Sequence, residues 1–242
     1  MRRITLLALA LSMSACATKA EVDEMTARLD ALEKKVTELE SRKPTTAGAA
    51  AAIDPEAEGK AKALLDEATG LISSNNVPGA KAKLDELFKT YGSTRTAQQA
   101  LRTKQELDVV GKKVTTPTME KWFVGSEKDL SLESGTTLLV FWEVWCPHCQ
   151  RETPKVEATY EKYKGKLKVV GLTKITKSAT EEKVTEFIKE HELTYPMAKE
   201  GGDTSKLFAV SGIPAAAVVK NGEVVWRGHP ANLTDAMLEG WI

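Results

Sequence analysis

The chain has 242 residues, a length that allows one large domain or two small ones. Apolar residues make up 42% and charged residues 28%, which is ordinary for a folded protein and excludes both wholesale disorder and an integral membrane protein. The 34 basic residues balance 34 acidic ones without forming a basic cluster, so the composition argues against nucleic acid as a partner.

Residues 1–15 have the pattern of a secretory signal peptide. Two arginines precede an apolar stretch that is shorter than the roughly 20 residues of a membrane-spanning helix. The residues that end at Cys16 resemble the lipobox of bacterial lipoproteins, which implies a lipid anchor on Cys16 in the bacterial cell envelope, facing the periplasm. Ala17 follows the cysteine, and by resemblance to enterobacterial sorting this favours the outer membrane. The alternative is cleavage after Ala17, which gives a soluble periplasmic protein; both places permit disulfides.

Residues 16–43 combine the proposed lipid attachment site with a short coiled coil. Apolar residues recur at alternating steps of three and four, as in the seam of a coiled coil. They are Val22, Met25, Leu29, Leu32, Val36 and Leu39. We predict a homo-oligomer formed through residues 21–42, with dimer and trimer both open; the alternative is a single amphipathic helix lying on a neighbour or on the membrane. Residues 44–53 lack periodicity and are predicted to be a flexible linker.

Residues 54–111 are predicted to form three helices, the first starting at Asp54 and the third at Thr94. A turn is expected at residues 75–78 between the first two. Apolar residues at helical spacing predict the buried faces. These residues are Leu64, Leu65, Ala68, Leu71 and Ile72 in the first helix, Ala80, Leu84, Leu87, Phe88 and Tyr91 in the second, and Ala97, Ala100, Leu101, Leu107 and Val110 in the third. The segment resembles one tetratricopeptide repeat with a capping helix, and a plain three-helix bundle remains the alternative. Because one repeat is too small to be stable alone, we expect it to pack on another part of the protein.

The chemistry is predicted in the last 130 or so residues, where two of the three cysteines lie close together, Cys146 and Cys149. An apolar run at residues 138–142 has the pattern of a buried strand, and a helical pattern follows the cysteines. Cys146 is expected to cap this helix, with Pro147 at its first position, so that free backbone N–H groups and the helix dipole stabilise a Cys146 thiolate. Cys149 lies one turn further on, close enough to close a disulfide.

A redox role is favoured over metal binding for this Cys-x-x-Cys pair. A structural zinc site needs four ligands, and besides Cys16 the chain offers only His148, His191 and His229. No metal and no separate cofactor are therefore expected; the redox-active group is the disulfide Cys146–Cys149.

Residues 113–242 resemble a thioredoxin-fold domain and, more narrowly, the TlpA/ResA family of membrane-anchored thiol-disulfide oxidoreductases. The segment from Phe141 to Cys149 matches that family's F-W-x-x-W-C-x-x-C motif, and Glu152 and Pro154 match its continuation. Gly212, Ile213 and Pro214 match the family's cis-proline loop, which packs against the disulfide and presents backbone to the substrate. The fold class implied is an α/β thioredoxin-like fold preceded by an all-α coiled-coil and TPR-like segment.

Further strands are expected at residues 167–172, 217–220 and 224–226, the last two joined by a type I′ turn at Asn221-Gly222. Between the strands at residues 167–172 and 217–220, residues 180–191 have a helical pattern. Residues 195–197 are expected to be a short extended piece.

The sequence departs from thioredoxin where that protein keeps a buried acid, because Val140 stands there. Glu152 is the first choice for moving the Cys149 proton; its alternative is a helix-start acid that only complements the dipole. Glu143 is the second candidate, with a solvent-facing side chain as its alternative. Glu143 also stands where a peroxiredoxin carries the Thr or Ser that activates its cysteine, which excludes that class.

Trp145, Pro147 and His148 are predicted to tune the redox pair. The Pro-His dipeptide is the one that DsbA-type oxidants carry between their cysteines, and a His beside the thiolate stabilises the reduced form. His191 and His229 are expected to be incidental.

The sequence thus predicts an envelope thiol-disulfide oxidoreductase that acts on protein thiols and disulfides in the periplasm and needs a partner to recharge it. Reduction is slightly favoured by the family, whereas the Pro-His pair favours oxidation. The alternative is an outer-membrane scaffold that uses the thioredoxin fold and the helical segment as protein-binding modules.

Overall fold

The computed structural model describes residues 19–41 and 54–242. The predictions for the signal peptide 1–15, the lipid site Cys16 and the linker 44–53 lie outside these residues. Helix α1 (Lys19–Ser41) belongs to a unit of its own, and all later elements belong to a second compact unit. Within α1, the seam residues Met25 and Leu29 are each 61% exposed. Self-association through this helix stays a prediction.

The predicted three-helix segment is present as α2 (Pro55–Ser73), α3 (Val77–Tyr91) and α4 (Arg95–Val109). Asp54 caps α2 by accepting hydrogen bonds from the backbone of its first turn, and Thr94 caps α4 in the same way. The predicted turn is shorter than expected, because Asn76 caps α3 and the helix already begins at Val77.

The helical segment has its own apolar core, which consists of Ala61, Leu64, Ala68, Ala80, Leu84, Leu87, Ala97, Ala100 and Leu107. Most of the predicted inward-facing residues lie in or against it. The prediction for Leu101 is wrong, since its side chain is 46% exposed. Leu101 lies at the edge of the apolar stripe of α4 that faces solvent, whereas Val109, which was not predicted to face inward, is buried.

The second half of the unit is built on one mixed sheet of six strands. The strands are β1 (Lys121–Val124), β2 (Thr136–Trp142), β3 (Leu167–Thr173), β4 (Met197–Lys199), β5 (Ala215–Lys220) and β6 (Glu223–Gly228). Their spatial order is β1-β4-β3-β2-β5-β6. The central strand β2 pairs in parallel with β3 and antiparallel with β5. All seven residues of β2 are buried, which explains the continuous apolar run at residues 138–142.

The helices of this half are α5 (Pro147–Lys162), α6 (Glu181–Glu190), α7 (Asp203–Leu207) and α8 (Asp235–Glu239). Both faces of the sheet are covered, and a separate apolar core lies on each face. At the β5–β6 hairpin, Asn221 and Gly222 have φ of 50° and 80°, as the predicted type I′ turn requires. This is the thioredoxin-like α/β arrangement expected of the C-terminal half, and that expectation is confirmed.

Helix α4 packs against β6, so the helical segment does rest on the sheet. Val109 at the end of α4 is part of one of the two apolar cores of the sheet. Among residues 19–41 and 54–242, no helix has both the length and the apolar character needed to cross a bilayer.

Candidate active site

Cys146 lies where β2 leads into α5, and it caps that helix as predicted. Its backbone is extended, with φ −88° and ψ 113°, and Pro147 occupies the first turn, where no amide hydrogen is required. The Cys146 Sγ accepts a hydrogen bond from the backbone N–H of Cys149, with a donor–acceptor distance of 3.3 Å. The helix start therefore places one N–H and the positive end of the dipole at the sulfur.

Cys149 is fully buried, and both cysteines carry free thiols in this structure. Burial raises the pKa of the Cys149 thiol, because the thiolate loses its hydration. The neighbouring Cys146 sulfur and the Glu143 carboxylate act in the same direction, and a backbone hydrogen bond from Glu143 opposes them. Cys149 is therefore a protonated thiol at neutral pH and needs a base before it can attack.

The predicted cis-proline loop lies directly against Cys146. The Ile213–Pro214 peptide bond is cis. The Cys146 thiol donates to the Ile213 carbonyl oxygen at 3.8 Å, although the two residues are far apart in the chain. Pro214 is buried and directly precedes β5, whereas Gly212 and Ile213 are half-buried. A polypeptide that reaches Cys146 thus also meets the backbone of this loop.

Glu143 is buried, with 5% of its surface exposed, so the solvent-facing alternative is wrong. Its carboxylate accepts hydrogen bonds from Trp145 Nε1 at 2.6 Å and from the Thr176 hydroxyl. These two donors compensate the carboxylate for the water that it loses. The charge of the same carboxylate contributes to raising the pKa of the Cys149 thiol.

Glu152 lies on the first turns of α5 with 16% of its side chain exposed, and its carboxylate pairs with Lys155 Nζ at 2.8 Å. This contact is local and gives Glu152 a surface partner. Its role in moving the Cys149 proton stays a prediction.

The residues predicted to tune the pair lie at the surface around Cys146. Pro147 and His148 are exposed, and His148 Nδ1 accepts a hydrogen bond from Arg151 at 2.7 Å. Trp145 is half-buried, and Lys177 Nζ lies 3.2 Å from the centroid of its ring, a cation–π contact. Exposed cations therefore contact the residues on both sides of Cys146 in the chain, Trp145 and His148.

A groove of about 340 Å³ adjoins Trp145. It is lined on one side by Val144, Trp145 and Gln150, and on the side of α6 by Lys183, Glu186 and Phe187. Side chains of both charge signs meet in it, together with an aromatic ring.

The other two histidines have structural contacts. The His191 ring packs on Phe187 with centroids 4.3 Å apart, and His229 Nδ1 accepts from the Ala231 backbone at the start of a short helical turn, Pro230–Asn232.

Sequence reasoning missed Thr176 and Lys177, and it missed that Arg102 of α4 lies at the cis-proline loop. The guanidinium of Arg102 lies so close to Gly212 that a Cβ there would be 2.7 Å from Nη1. No local pattern indicates these residues, because each is brought to the site from a distant part of the chain.

Residues 110–227 match the model of the AhpC/TSA family. The C-terminal half is therefore an AhpC/TSA-type thioredoxin-like domain, with relatives among thiol-disulfide oxidoreductases. The chain is 33% identical over 113 residues to thiol-disulfide oxidoreductase ResA of Oceanobacillus iheyensis, covering 46% of this chain and 57% of that protein. It is 24% identical over 123 residues to sporulation thiol-disulfide oxidoreductase A of Bacillus subtilis, covering 50% of this chain and 74% of that protein.

Among solved structures, StoA from Bacillus subtilis aligns with a TM-score of 0.42 and 24% identity over 55% of this chain and 98% of that chain. The chain spans little more than half the length of the Oceanobacillus relative, 57%.

Proposed function

We propose that the protein is a thiol-disulfide oxidoreductase that exchanges disulfides with exported proteins through Cys146 and Cys149. The observation that carries this proposal is the position of Cys146. Its sulfur lies at the start of α5, between a helix N–H and the Ile213 carbonyl of the cis-proline loop. Relatives named thiol-disulfide oxidoreductases support the same chemistry.

In the reducing direction, the Cys146 thiolate attacks one sulfur of a substrate disulfide. A mixed disulfide forms along the Gly212–Pro214 loop, and the displaced substrate sulfur leaves as a thiolate that takes up a proton. Cys149 then loses its proton and attacks the Cys146 sulfur, which closes the Cys146–Cys149 disulfide and releases the second substrate thiol. Two electrons pass to the substrate, so a thiol-bearing partner must afterwards reduce the pair.

The Cys149 proton needs an acceptor because burial raises the pKa of this thiol. We favour Glu143 as the acceptor, because it is buried and its charge acts on Cys149. Glu152, the first choice from the sequence, is the alternative acceptor.

Cys16 supports an envelope location, with a lipid anchor facing the periplasm and the outer membrane favoured; a soluble periplasmic form is the alternative. Helix α1 supports self-association, because seam residues Met25 and Leu29 are exposed. We favour reduction of the substrate as the direction of exchange, although His148 between the cysteines favours oxidation.

Two cysteine variants of the full-length protein test the proposal. Cys146→Ser should lose exchange with a disulfide peptide, and Cys149→Ser should accumulate the substrate as a mixed disulfide that is visible by non-reducing electrophoresis. Full exchange by Cys146→Ser would contradict the assignment of the nucleophile. Equilibration of the unsubstituted protein with glutathione then gives the direction, since a potential of about −120 mV is typical of the oxidant DsbA and about −270 mV of thioredoxin.

A further inference from the structure

Arg102 on α4 lies against the loop that receives the substrate. A Cβ built on Gly212 would lie 2.7 Å from Arg102 Nη1 and 2.9 Å from Nη2, so the guanidinium covers the open side of this glycine. The next residue, Ile213, offers its carbonyl oxygen to the Cys146 thiol. The helical segment and the first cysteine thus contact adjacent residues of one loop.

Glu106 holds the guanidinium in this position. It accepts from Arg102 Nε at 3.0 Å and pairs with Arg227 Nη2 at 3.5 Å. The Arg227 side chain is fully buried, and its Nε donates to the Phe208 carbonyl. Through Glu106 and Arg227, α4 is therefore connected to the segment that leads to the cis-proline loop. Arg102 is therefore placed by a buried anchor and is not a freely moving surface side chain.

The terminal nitrogens of Arg102 remain available. Within residues 19–41 and 54–242 they have no hydrogen-bond partner, and 54% of the side chain is exposed. A guanidinium with both terminal nitrogens free is suited to bind a carboxylate in bidentate fashion.

The exposed charge near the redox motif agrees with an acidic ligand. Arg151 and Lys177 are exposed and lie beside His148 and Trp145 respectively. Glu143 is buried and hydrogen-bonded, so it presents no charge at the surface. The groove beside Trp145 is lined by Lys183 but also by Glu186 and Glu190, so it is the less suitable place for an acidic ligand.

We propose that Arg102 is a specificity-determining residue that binds a carboxylate side chain next to the reacting cysteine of a polypeptide substrate. The α2–α4 segment is then part of the substrate-binding surface, and the protein acts preferentially on cysteines with Asp or Glu close by. This inference rests on the proposed exchange function and adds its substrate class.

The test compares three disulfide-linked peptides that differ only in the residues beside the cysteine, which are acidic, neutral or basic. Full-length protein carrying Cys16→Ser, so that only the redox pair reacts, is reduced and mixed with each peptide, and the rate of its oxidation is followed by acid quenching and thiol alkylation. Arg102→Gln should lower the acidic-to-neutral rate ratio roughly three- to fivefold, the size expected of an exposed ion pair. The intrinsic reactivity of each peptide cancels when variant and parent are compared.

Two further variants control the result. Arg102→Lys keeps the charge and should retain most of the acidic preference. Lys62→Gln removes a cation from another helical ion pair, Lys62–Asp66, on α2, and should leave every rate unchanged. Salt at about 0.5 M should reduce the acidic preference of the parent, because it screens exposed charges.

A fall by the same factor for all three peptides would overturn the inference, since Arg102 would then only position the loop. An unchanged ratio in Arg102→Gln would overturn it as well. Failure of the unsubstituted protein to react with any peptide is a different result, because it would overturn the proposed exchange function itself.

Discussion

Two buried groups lie close to the Cys146 thiol. Burial raises the pKa of Cys149, and the ionised Glu143 adds to that rise. The Trp145 indole and the Thr176 hydroxyl both donate to the Glu143 carboxylate, which holds the carboxylate in position. We propose that this fixed carboxylate accepts the proton of the Cys149 thiol.

We expect Glu143→Gln to slow the resolving step by about two orders of magnitude, because a positioned general base contributes roughly that much. The substitution also removes the negative charge that raises the Cys149 pKa, but Coulombic repulsion by Glu143 is the smallest contribution to that rise. Release of a chromogenic thiol from its mixed disulfide with Cys146 measures this step in a stopped-flow instrument.

The matched control is Glu152→Gln, which removes a carboxylate that pairs with Lys155 at the surface. Its effect should be the smaller of the two. In Glu143→Gln the release should accelerate as the pH rises, since more of the raised-pKa thiol is ionised. Faster release by Glu143→Gln at neutral pH would mean that the carboxylate acts only through its charge.

At the scale of elements, α4 and β6 are joined through a buried cation. Burial lowers the pKa of Arg227, and Glu106 opposes that change by neutralising the guanidinium. Three of the other contacts of Arg227 are backbone carbonyls, at Phe208, Ala216 and Gly228. Glu106 is the carboxylate that pairs with this charge among the described residues.

Glu106→Gln should therefore lower the free energy of unfolding by about 1–3 kcal/mol, the usual cost of leaving a buried charged group short of its partner. Urea denaturation of the reduced protein measures the change. Lys62→Gln breaks an exposed pair and should change it by less than about 0.5 kcal/mol. Equal losses in both variants would mean that the Glu106–Arg227 pair contributes no more to the free energy of unfolding than an exposed ion pair.

Most long elements were predictable, and among the short ones only β4 was expected, as an extended piece at residues 195–197. The strand β2 and the helices α2 to α6 carry clear periodicity or caps, and the structure has them within a few residues of the predicted bounds. The strand β1 and the helices α7 and α8 have four or five residues each, too few for any periodicity. Their conformation depends on pairing and packing with distant segments, such as β1 with β4.

At the scale of the whole molecule, α1 is a separate unit whose apolar seam is exposed at Met25 and Leu29. Exposed apolar residues at heptad spacing favour association with a second copy of the same helix. Such an oligomer would hold several redox pairs together.

We expect Leu29→Asp to convert the full-length protein to a monomer, because a carboxylate in the seam would have to be buried without a partner. Sedimentation velocity measures the change. Ala27→Asp adds the same charge at an exposed position of α1 outside the seam and should leave the mass unchanged. A monomer before any substitution would contradict self-association.

The sequence by itself determined the features that depend on neighbours in the chain. Cys146 caps its helix because Pro147 follows it, and Asn221-Gly222 form their turn because both tolerate positive φ. The cis-proline loop was recognisable because its three residues match a family motif.

Only the tertiary structure decided which groups surround the sulfur atoms. Whether Glu143 faced water or the protein depended on Trp145 and on Thr176, which lies on a different loop. Arg102 reaches Gly212 from a helix that precedes the whole sheet, and no spacing in the sequence indicates that contact. Burial and charge pairing are sums over segments distant in the chain, whereas caps, turns and periodicity are set within a few residues, and this is why the sequence determines only the latter.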